Sequence, residues 1–160
     1  MPEVTIRPLT DAEAEAIVGW RYDPPYDVYG TSEADRDTVR SLVLPENAYY
    51  AILRDGDLVG FCCFGHEAQV PGGDYREDAL DVGIGLRPDL TGQGLGGQVL
   101  AAVLDIGMQT FGAGHFRATI AAWNRRSIRT FEKLGFKQTA TFRTEGNPAS
   151  DTWVQITREA

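Results

Sequence analysis

The fold of this chain is decided by the stretch Asp81-Val-Gly-Ile-Gly-Leu-Arg-Pro-Asp-Leu-Thr-Gly-Gln-Gly-Leu-Gly-Gly-Gln-Val-Leu100. It predicts a strand over 81–87, a tight turn, and a helix from about Gln93 to about Phe111. The strand passes into the helix through four glycines: Gly92, Gly94, Gly96 and Gly97. Glycine lets backbone N–H groups approach a ligand closely, and the first N–H groups of a helix have no intrahelical partner. The turn therefore predicts a phosphate cradle, although a glycine turn that only permits close packing has the same pattern.

Three classes of ligand use such a cradle. The spacing G-x-G-x-x-G, formed by Gly92, Gly94 and Gly97, is typical of a dinucleotide site, which also has an acidic residue about 20 residues further on. The next apolar run, 116–123, contains no acidic residue. A nucleotide P-loop requires Gly-Lys-Ser/Thr, which is absent from the sequence. The pyrophosphate of coenzyme A is the third class.

Two segments carry a resemblance to a known family. Arg87-Pro-Asp-Leu-Thr-Gly-Gln-Gly-Leu-Gly-Gly97 resembles the acetyl-CoA loop of the GNAT superfamily of N-acetyltransferases, Gln/Arg-x-x-Gly-x-Gly/Ala after a strand and a proline. Gly94 and Gly96 match the small positions, and Thr91 stands where the family usually has Gln or Arg. Asn124-Arg-Arg-Ser-Ile-Arg-Thr-Phe-Glu-Lys-Leu-Gly-Phe136 resembles the family's Asn-x-x-Ala/Ser-x-x-x-Tyr/Phe-x-x-x-Gly-Phe helix. The two motifs occur in the family's order and at about its distance, within 81–142.

The resemblance implies both a fold and an activity. The fold is α/β (α+β), with a mixed, mostly antiparallel central sheet of about seven strands flanked by about four helices. We expect residues 1–160 to form one such domain. The activity is transfer of an acetyl group from acetyl-CoA to a primary amine by direct attack in a ternary complex. The acceptor, a small molecule or a peptide, is not identified: a peptide N-terminus, a polyamine, an amino acid and an aminoglycoside all remain open. A non-catalytic acyl-CoA-binding regulatory module is the alternative.

The cofactor site that the resemblance implies begins on the central strand. There the backbone of Ile84, Gly85 and Leu86 would pair with the pantetheine arm, and the N–H near Leu86 would stabilise the oxyanion. The other cofactor residues implied by the resemblance are Thr91, Gly92, Gln93, Gly94, Leu95, Gly96, Gly97, Asn124, Ser127 and Phe131.

The groups that would move protons are less well defined. Asp81 is the first candidate for a general base because many family members carry Glu there, although an exposed acid at a strand end is equally compatible with the sequence. Thr119 stands where some members have a catalytic Glu. Phe131 stands where many members have a Tyr that protonates the leaving thiolate. Either the proton comes from another group, such as Tyr49, Tyr50 or water, or the thiolate leaves unassisted.

An aromatic segment near the N-terminus is the candidate acceptor site. Pro24-Pro25 prevents a helix there, and four aromatic residues crowd around it: Trp20, Tyr22, Tyr26 and Tyr29. The rings either pin a loop onto the core or, as the resemblance implies, form a wall of the acceptor pocket. His66, at the end of a predicted strand, is a further candidate. The loop over 67–80 either folds over the site or is a solvated connection.

Composition excludes several other classes of function. A net charge of −8 and a pI near 4.7 argue against a nucleic-acid partner. No apolar run approaches the ~18 residues of a membrane span, and the first residues lack the features of a signal peptide, so we expect a cytoplasmic protein. Cys62 and Cys63 are adjacent in a predicted strand and suit neither a disulfide nor a metal site. A homodimer is compatible with the sequence.

Two local signals predict the borders of elements in the N-terminal half. Thr10 and Glu13 form a capping-box pattern before a short helix that ends near Trp20. Asp55-Gly56, between two apolar runs, predicts a β-hairpin. A second helix is expected from Thr31 or Ser32 to about Leu44, where Pro45 follows.

Overall fold

The computed structural model describes residues 3–29 and 36–160, without the side chains of Val28 and Tyr29. The described residues form seven strands and four α-helices. The strands are β1 (Val4–Pro8), β2 (Tyr49–Arg54), β3 (Asp57–Phe64), β4 (Leu80–Leu86), β5 (His115–Ala121), β6 (Lys137–Arg143) and β7 (Thr152–Glu159). The helices are α1 (Asp11–Val18), α2 (Arg36–Val43), α3 (Gly96–Phe111) and α4 (Arg125–Lys133). The predicted start of the second helix, at Thr31 or Ser32, lies outside the described residues.

The seven strands form one sheet in the order β1-β2-β3-β4-β5-β7-β6. Every neighbouring pair is antiparallel except β4 and β5, which run parallel. The Asp55-Gly56 hairpin is confirmed: both residues have positive φ, 51° and 83°, as a two-residue turn between twisted strands requires. The predicted mixed, mostly antiparallel sheet with four flanking helices is therefore confirmed.

Two apolar clusters hold the helices onto the sheet. The larger cluster joins α3 and α4 to one face through residues such as Val99, Val103, Phe116 and Ile128. The smaller cluster, around Ile17, Ala51 and Leu53, packs α1 and α2 against the other face. Among the described helices, none is both long and apolar enough to span a lipid bilayer.

The capping box that starts α1 is present as the sequence predicts. The Thr10 hydroxyl accepts a hydrogen bond from the Glu13 N–H at 3.2 Å, and the Glu13 carboxylate accepts one from the Thr10 N–H at 3.0 Å. These bonds satisfy N–H groups that have no intrahelical partner. α1 therefore begins at Asp11, just after the first strand.

Candidate active site

The sheet opens between β4 and β5. These two strands pair only at Leu80 with Phe116 and at Asp81 with Arg117. On the other edge, β4 pairs with β3 as far as Leu86. Beyond Asp81, no strand in the described part of the chain pairs with the β5-facing edge of β4.

The alternation of hydrogen bonds along β4 shows which peptide groups face this opening. The Asp81 carbonyl accepts a hydrogen bond from Gly65 N–H at 2.9 Å, and the Arg87 N–H donates to Val59 O at 2.8 Å. In an antiparallel pair, every second residue bonds to the same neighbour. The peptide groups of Ile84 and Leu86 therefore point away from β3 and towards β5. They form an edge that an extended ligand could join as a strand would.

A cleft of about 900 Å³ begins at this opening. Its floor is formed by β4 over 82–86 and β5 over 118–121. One end reaches the glycine turn and α4, and the other reaches the aromatic residues that follow α1. The cleft therefore connects the predicted cofactor site with the predicted acceptor site.

The glycine turn lines one end of the cleft. Thr91, Gly92, Gly94, Gly96 and Gly97 contribute to the lining. Gly92 and Gly94 have φ of 74° and 79°, a region that side chains rarely adopt, and a Cβ built on Gly94 or Gly97 would meet no atom within 4 Å. The start of α3 thus faces open space, as an anion site at a helix N-terminus requires.

Three residues of the turn have roles within the protein. The Thr91 hydroxyl donates to Pro88 O at 2.9 Å and so stabilises the turn. Gln93 does not line the cleft, and its side-chain amide donates to Asp89 O at 2.7 Å. Leu95 is 7% exposed and belongs to the core instead of the cleft. The Gln93 and Leu95 side chains therefore do not face the cleft, and a cofactor contact at either residue would be made by its backbone.

Helix α4 forms the wall beside the glycine turn. Its N-cap is Asn124, whose side-chain oxygen accepts a hydrogen bond from the Ser127 N–H at 3.2 Å. Asn124, Ser127 and Phe131 all line the cleft. Phe131 is also 2% exposed and packs edge-on against Phe136, with ring centroids 5.0 Å apart.

Helix α4 also presents a basic surface to the cleft, and its residues are not among those that the family motifs imply. Arg126, Arg129 and Lys133 line the cleft from α4. The guanidinium of Arg126 lies 3.4 Å from the position of a Cβ built on Gly92. Spacings of three and four residues place side chains on one helix face, so the sequence contained a usable signal. These cations suit the phosphates of a ligand held at the glycine turn.

The aromatic residues divide between the two halves of the cleft. The Tyr22 hydroxyl donates to Leu86 O at 2.7 Å, and burial raises the pKa of Tyr22 to about 12. The Trp20 ring lies 6.1 Å from that of Phe61 between centroids. Tyr26 instead lies beside α4, with the Arg126 guanidinium 4.1 Å above its ring. The Tyr29 side chain lies outside the described residues.

Asp81, the expected general base, does not line the cleft. It is 3% exposed, and its carboxylate accepts hydrogen bonds from Arg117 at 2.6 and 2.8 Å and from Gln69 at 2.9 Å. The hydrogen bonds to this carboxylate raise the pKa of Arg117 above its ordinary value. Asp81 and Arg117 are paired in the parallel register of β4 and β5, so that both carboxylate oxygens of Asp81 accept hydrogen bonds from the guanidinium.

Two other expected participants also lie away from the cleft. His66 is exposed, and its Nε2 lies 3.1 Å from the side-chain oxygen of Asn47. Tyr50 packs between the rings of Phe64 and Phe111 on the opposite face of the sheet. Tyr49, in contrast, lines the cleft, and burial raises its pKa far above the ordinary value.

The loop after β3 folds back over the sheet. The Tyr75 hydroxyl accepts a hydrogen bond from Val70 N–H at 2.8 Å and lies 2.9 Å from the Thr119 hydroxyl. Gln155 donates to Asp74 O at 3.1 Å, which fixes the same loop to β7. Of the two alternatives for this segment, packing against the site is the one observed. Thr119 itself lines the cleft.

Thiols and metal ligands are not part of the cleft in the described residues. Cys62 and Cys63 are buried in β3, and burial raises the pKa of Cys63 to about 12. Within 3–29 and 36–160, no group of three or more His, Cys, Asp or Glu residues could hold a metal ion. The chemistry available at the cleft is therefore that of backbone amides, hydroxyls and cations.

Comparison with known proteins agrees with this geometry. Residues 3–137 match the family description "Acetyltransferase (GNAT) domain". The chain therefore belongs to the GNAT family of acetyltransferases. A human protein, alpha/beta-tubulin-N-acetyltransferase 9, is 44% identical over 54 residues. That match spans 34% of this chain and 26% of the human protein, about a quarter of the relative's length.

Solved structures share the whole fold at low identity. Aminoglycoside acetyltransferase AAC(6')-Ib, solved in complex with coenzyme A, has a TM-score of 0.78 at 18% identity, covering 98% of this chain and 95% of that one. The Bacillus anthracis GNAT acetyltransferase has a TM-score of 0.74 at 18% identity, covering 99% and 96%. YncA from Salmonella typhimurium, a putative acetyltransferase solved with acetyl-CoA, has a TM-score of 0.67 at 22% identity, covering 98% and 93%. At identities of 18% to 22%, the similarity to these structures is evidence for the fold alone.

Proposed function

We propose that this protein transfers an acetyl group from acetyl-CoA to a primary amine of an acceptor molecule. The observation that carries the proposal is the opening between β4 and β5, which leads directly to the glycine turn. A cofactor with an extended amide-bearing arm and a pyrophosphate matches both parts of this cleft.

The cofactor would lie along the cleft with its phosphates at the glycine turn. N–H groups at the start of α3 would receive the pyrophosphate, with Arg126, Arg129 and Lys133 supplying positive charge. The pantetheine arm would join the edge formed by Ile84 and Leu86 as an additional strand. Asn124 and Ser127 would face the arm from α4, and Phe131 would provide apolar contact.

The acetyl group would then lie near the end of β4. The amine nitrogen attacks the thioester carbonyl carbon and releases one proton to water, the C–S bond breaks, and coenzyme A leaves as the thiolate. The Leu86 N–H would stabilise the oxyanion that forms during the attack. The hydrogen bond from Tyr22 to Leu86 O fixes this end of the strand and so supports the preorganised donor.

Proton transfer would use a group other than Asp81. Tyr49 lines the cleft and, because its pKa is raised, stays protonated at neutral pH. We propose Tyr49 as the proton donor to the leaving thiolate, in place of the tyrosine that Phe131 replaces. The acceptor amine would bind as the free base, which burial in an apolar cleft favours.

Direct attack is favoured over an acetyl-enzyme. No cysteine lines the cleft in the described residues, and both thiols are buried with raised pKa values. Incubation of the protein with acetyl-CoA alone should therefore leave its intact mass unchanged. A stable mass increase of one acetyl group on a cleft residue would contradict direct attack.

The test of the proposed function is thiol release from acetyl-CoA in the presence of a panel of primary amines. We expect release that depends on both acetyl-CoA and an amine, with the acetylated amine identified by mass spectrometry. Binding of acetyl-CoA without acetylation of any amine would favour the non-catalytic acyl-CoA-binding module instead. Binding of NAD without binding of coenzyme A would favour a dinucleotide enzyme.

A further inference from the structure

We infer that the acceptor is a monoamine whose amino group is attached to an aromatic or apolar group, and not a polycation. This inference rests on the proposed function and names the substrate class of the same cleft. It comes from the aromatic and aliphatic residues that line the cleft beside the end of β4.

The acceptor half of the cleft is built on Phe61. A Cβ on Gly85 would lie 2.5 Å from the Phe61 ring, so the ring rests directly on the backbone of β4. Trp20 and Tyr49 contact the same ring, with centroid separations of 6.1 and 6.3 Å. Three rings thus meet beside the strand residue that precedes the Leu86 N–H.

Aliphatic residues extend this apolar surface towards the helices. Ile17 and Val18 of α1 and Leu42 of α2 also line the cleft. The Tyr22 hydroxyl faces the same region, but its proton is directed to Leu86 O. An aromatic or alkyl group of an acceptor would lose water-exposed surface against these side chains, and this burial favours binding.

The charges of the cleft lining disfavour an acceptor with several amino groups. In the ranges 3–29 and 36–160, no Asp or Glu lines the cleft, although the whole chain carries a net charge of −8. Glu67 is not part of the lining, and its carboxylate interacts with the Tyr49 hydroxyl by a hydrogen bond that helps to raise the pKa of Tyr49. The charged lining residues are Arg126, Arg129 and Lys133, all cationic. Among the described residues, the lining itself therefore offers no carboxylate to pair with a second or third ammonium group of the acceptor.

The experiment compares acceptors by kcat/KM in the thiol-release assay. Phenethylamine and phenylalanyl-glycine amide test an aromatic amine as a small molecule and as a peptide N-terminus. Propylamine tests a small alkyl amine, and spermidine and kanamycin test polycations. We expect both aromatic amines, or one of them, to exceed spermidine and kanamycin by about tenfold or more, since one apolar subsite typically contributes this much.

Substitutions test whether the aromatic wall causes the preference. Phe61→Ala should lower kcat/KM for the preferred aromatic amine by about tenfold while changing that for propylamine much less. Phe61→Leu, which keeps the site apolar and filled, should retain most of the activity. Phe111→Ala is the control, because Phe111 is 41% exposed and lies outside the cleft.

Three results would overturn the inference, and they separate it from the proposed function. Acetylation of spermidine or kanamycin as efficient as that of the aromatic amines would refute the acceptor class but leave the acetyltransferase intact. An equal loss for propylamine and the aromatic amine in Phe61→Ala, with Phe61→Leu also inactive, would mean that Phe61 is only structural. Binding of acetyl-CoA with no acetylation of any amine would end both proposals.

Discussion

At the scale of single residues, the Asp81–Arg117 pair shows how a side chain that resembles a catalytic group becomes a structural one. Both side chains are nearly inaccessible, at 3% and 4% exposure. The carboxylate accepts two hydrogen bonds from the guanidinium and one from Gln69. From the sequence, Asp81 had no visible partner, because Arg117 lies 36 residues away and meets it only through the parallel register of β4 and β5.

This pair predicts a loss of stability, with little loss of turnover, when one partner is removed. Asp81→Asn or Arg117→Met should lower the free energy of unfolding by about 3–5 kcal/mol, because the remaining charge is buried without its partner. The double variant Asp81→Leu/Arg117→Met should lose less than the sum of the single losses. Urea unfolding measures the stability. A large drop in the turnover of folded Asp81→Asn, with stability unchanged, would restore Asp81 as a general base.

Tyr49 and Tyr50 provide a matched pair of adjacent tyrosines on opposite faces of β2. Tyr49→Phe removes the proposed proton donor from the cleft, so kcat should fall by about 10²-fold or more while acetyl-CoA affinity is retained. Tyr50→Phe keeps the ring packed on Phe64 and Phe111 and should leave kcat unchanged. Steady-state kinetics at saturating acetyl-CoA compare kcat of the two variants with that of the wild type. Equal rates for wild type and Tyr49→Phe would assign the proton transfer to water or to another group.

At the scale of elements, α4 carries both a family motif and a basic face, and the motif was easier to identify from the sequence than the basic face. The motif beginning at Asn124 predicted the helix, because the spacing of a motif is local. The spacing of Arg126, Arg129 and Lys133 places them on one helix face, but arginines on a short helix are usually solvated, so the spacing alone did not indicate a phosphate site. Its position against Gly92 is a tertiary fact that local spacing does not contain.

Helix α4 also offers a matched pair of arginines for a charge-reversal test. Both arginines are exposed on the same helix, but Arg129 lines the cleft and Arg125 does not. Arg129→Glu should weaken acetyl-CoA binding about tenfold through repulsion of the phosphates, and added salt should reduce the difference. Arg125→Glu should bind normally. Calorimetry at two salt concentrations makes the comparison, and identical affinities for the two variants would remove α4 from the phosphate site.

At the scale of the whole molecule, the order of elements and the mixed sheet followed from the sequence, but the shape of the cleft did not. Strand and helix periodicity, the hairpin at Asp55-Gly56 and the two motifs depend on local interactions, so they could be predicted. The opening of β4 from β5 after Asp81, the loop that Tyr75 fixes to Thr119, and the burial of Asp81 depend on contacts between distant segments. The motifs therefore predicted segments that line one half of the cleft, whereas the placement of the candidate proton-transfer groups could not be predicted from local patterns.

The most direct measurement is a calorimetric titration of acetyl-CoA into wild-type protein, Gly97→Glu and Gly114→Glu. Gly97 lines the cleft and Gly114 does not, and a Cβ at either position meets no atom within 4 Å. Glutamate near a helix N-terminus is compatible with folding, so Gly97→Glu places a carboxylate in the anion site without unfolding α3. We expect binding by wild type and Gly114→Glu and no measurable binding by Gly97→Glu. Normal binding by Gly97→Glu would contradict the assignment of this cleft to acetyl-CoA.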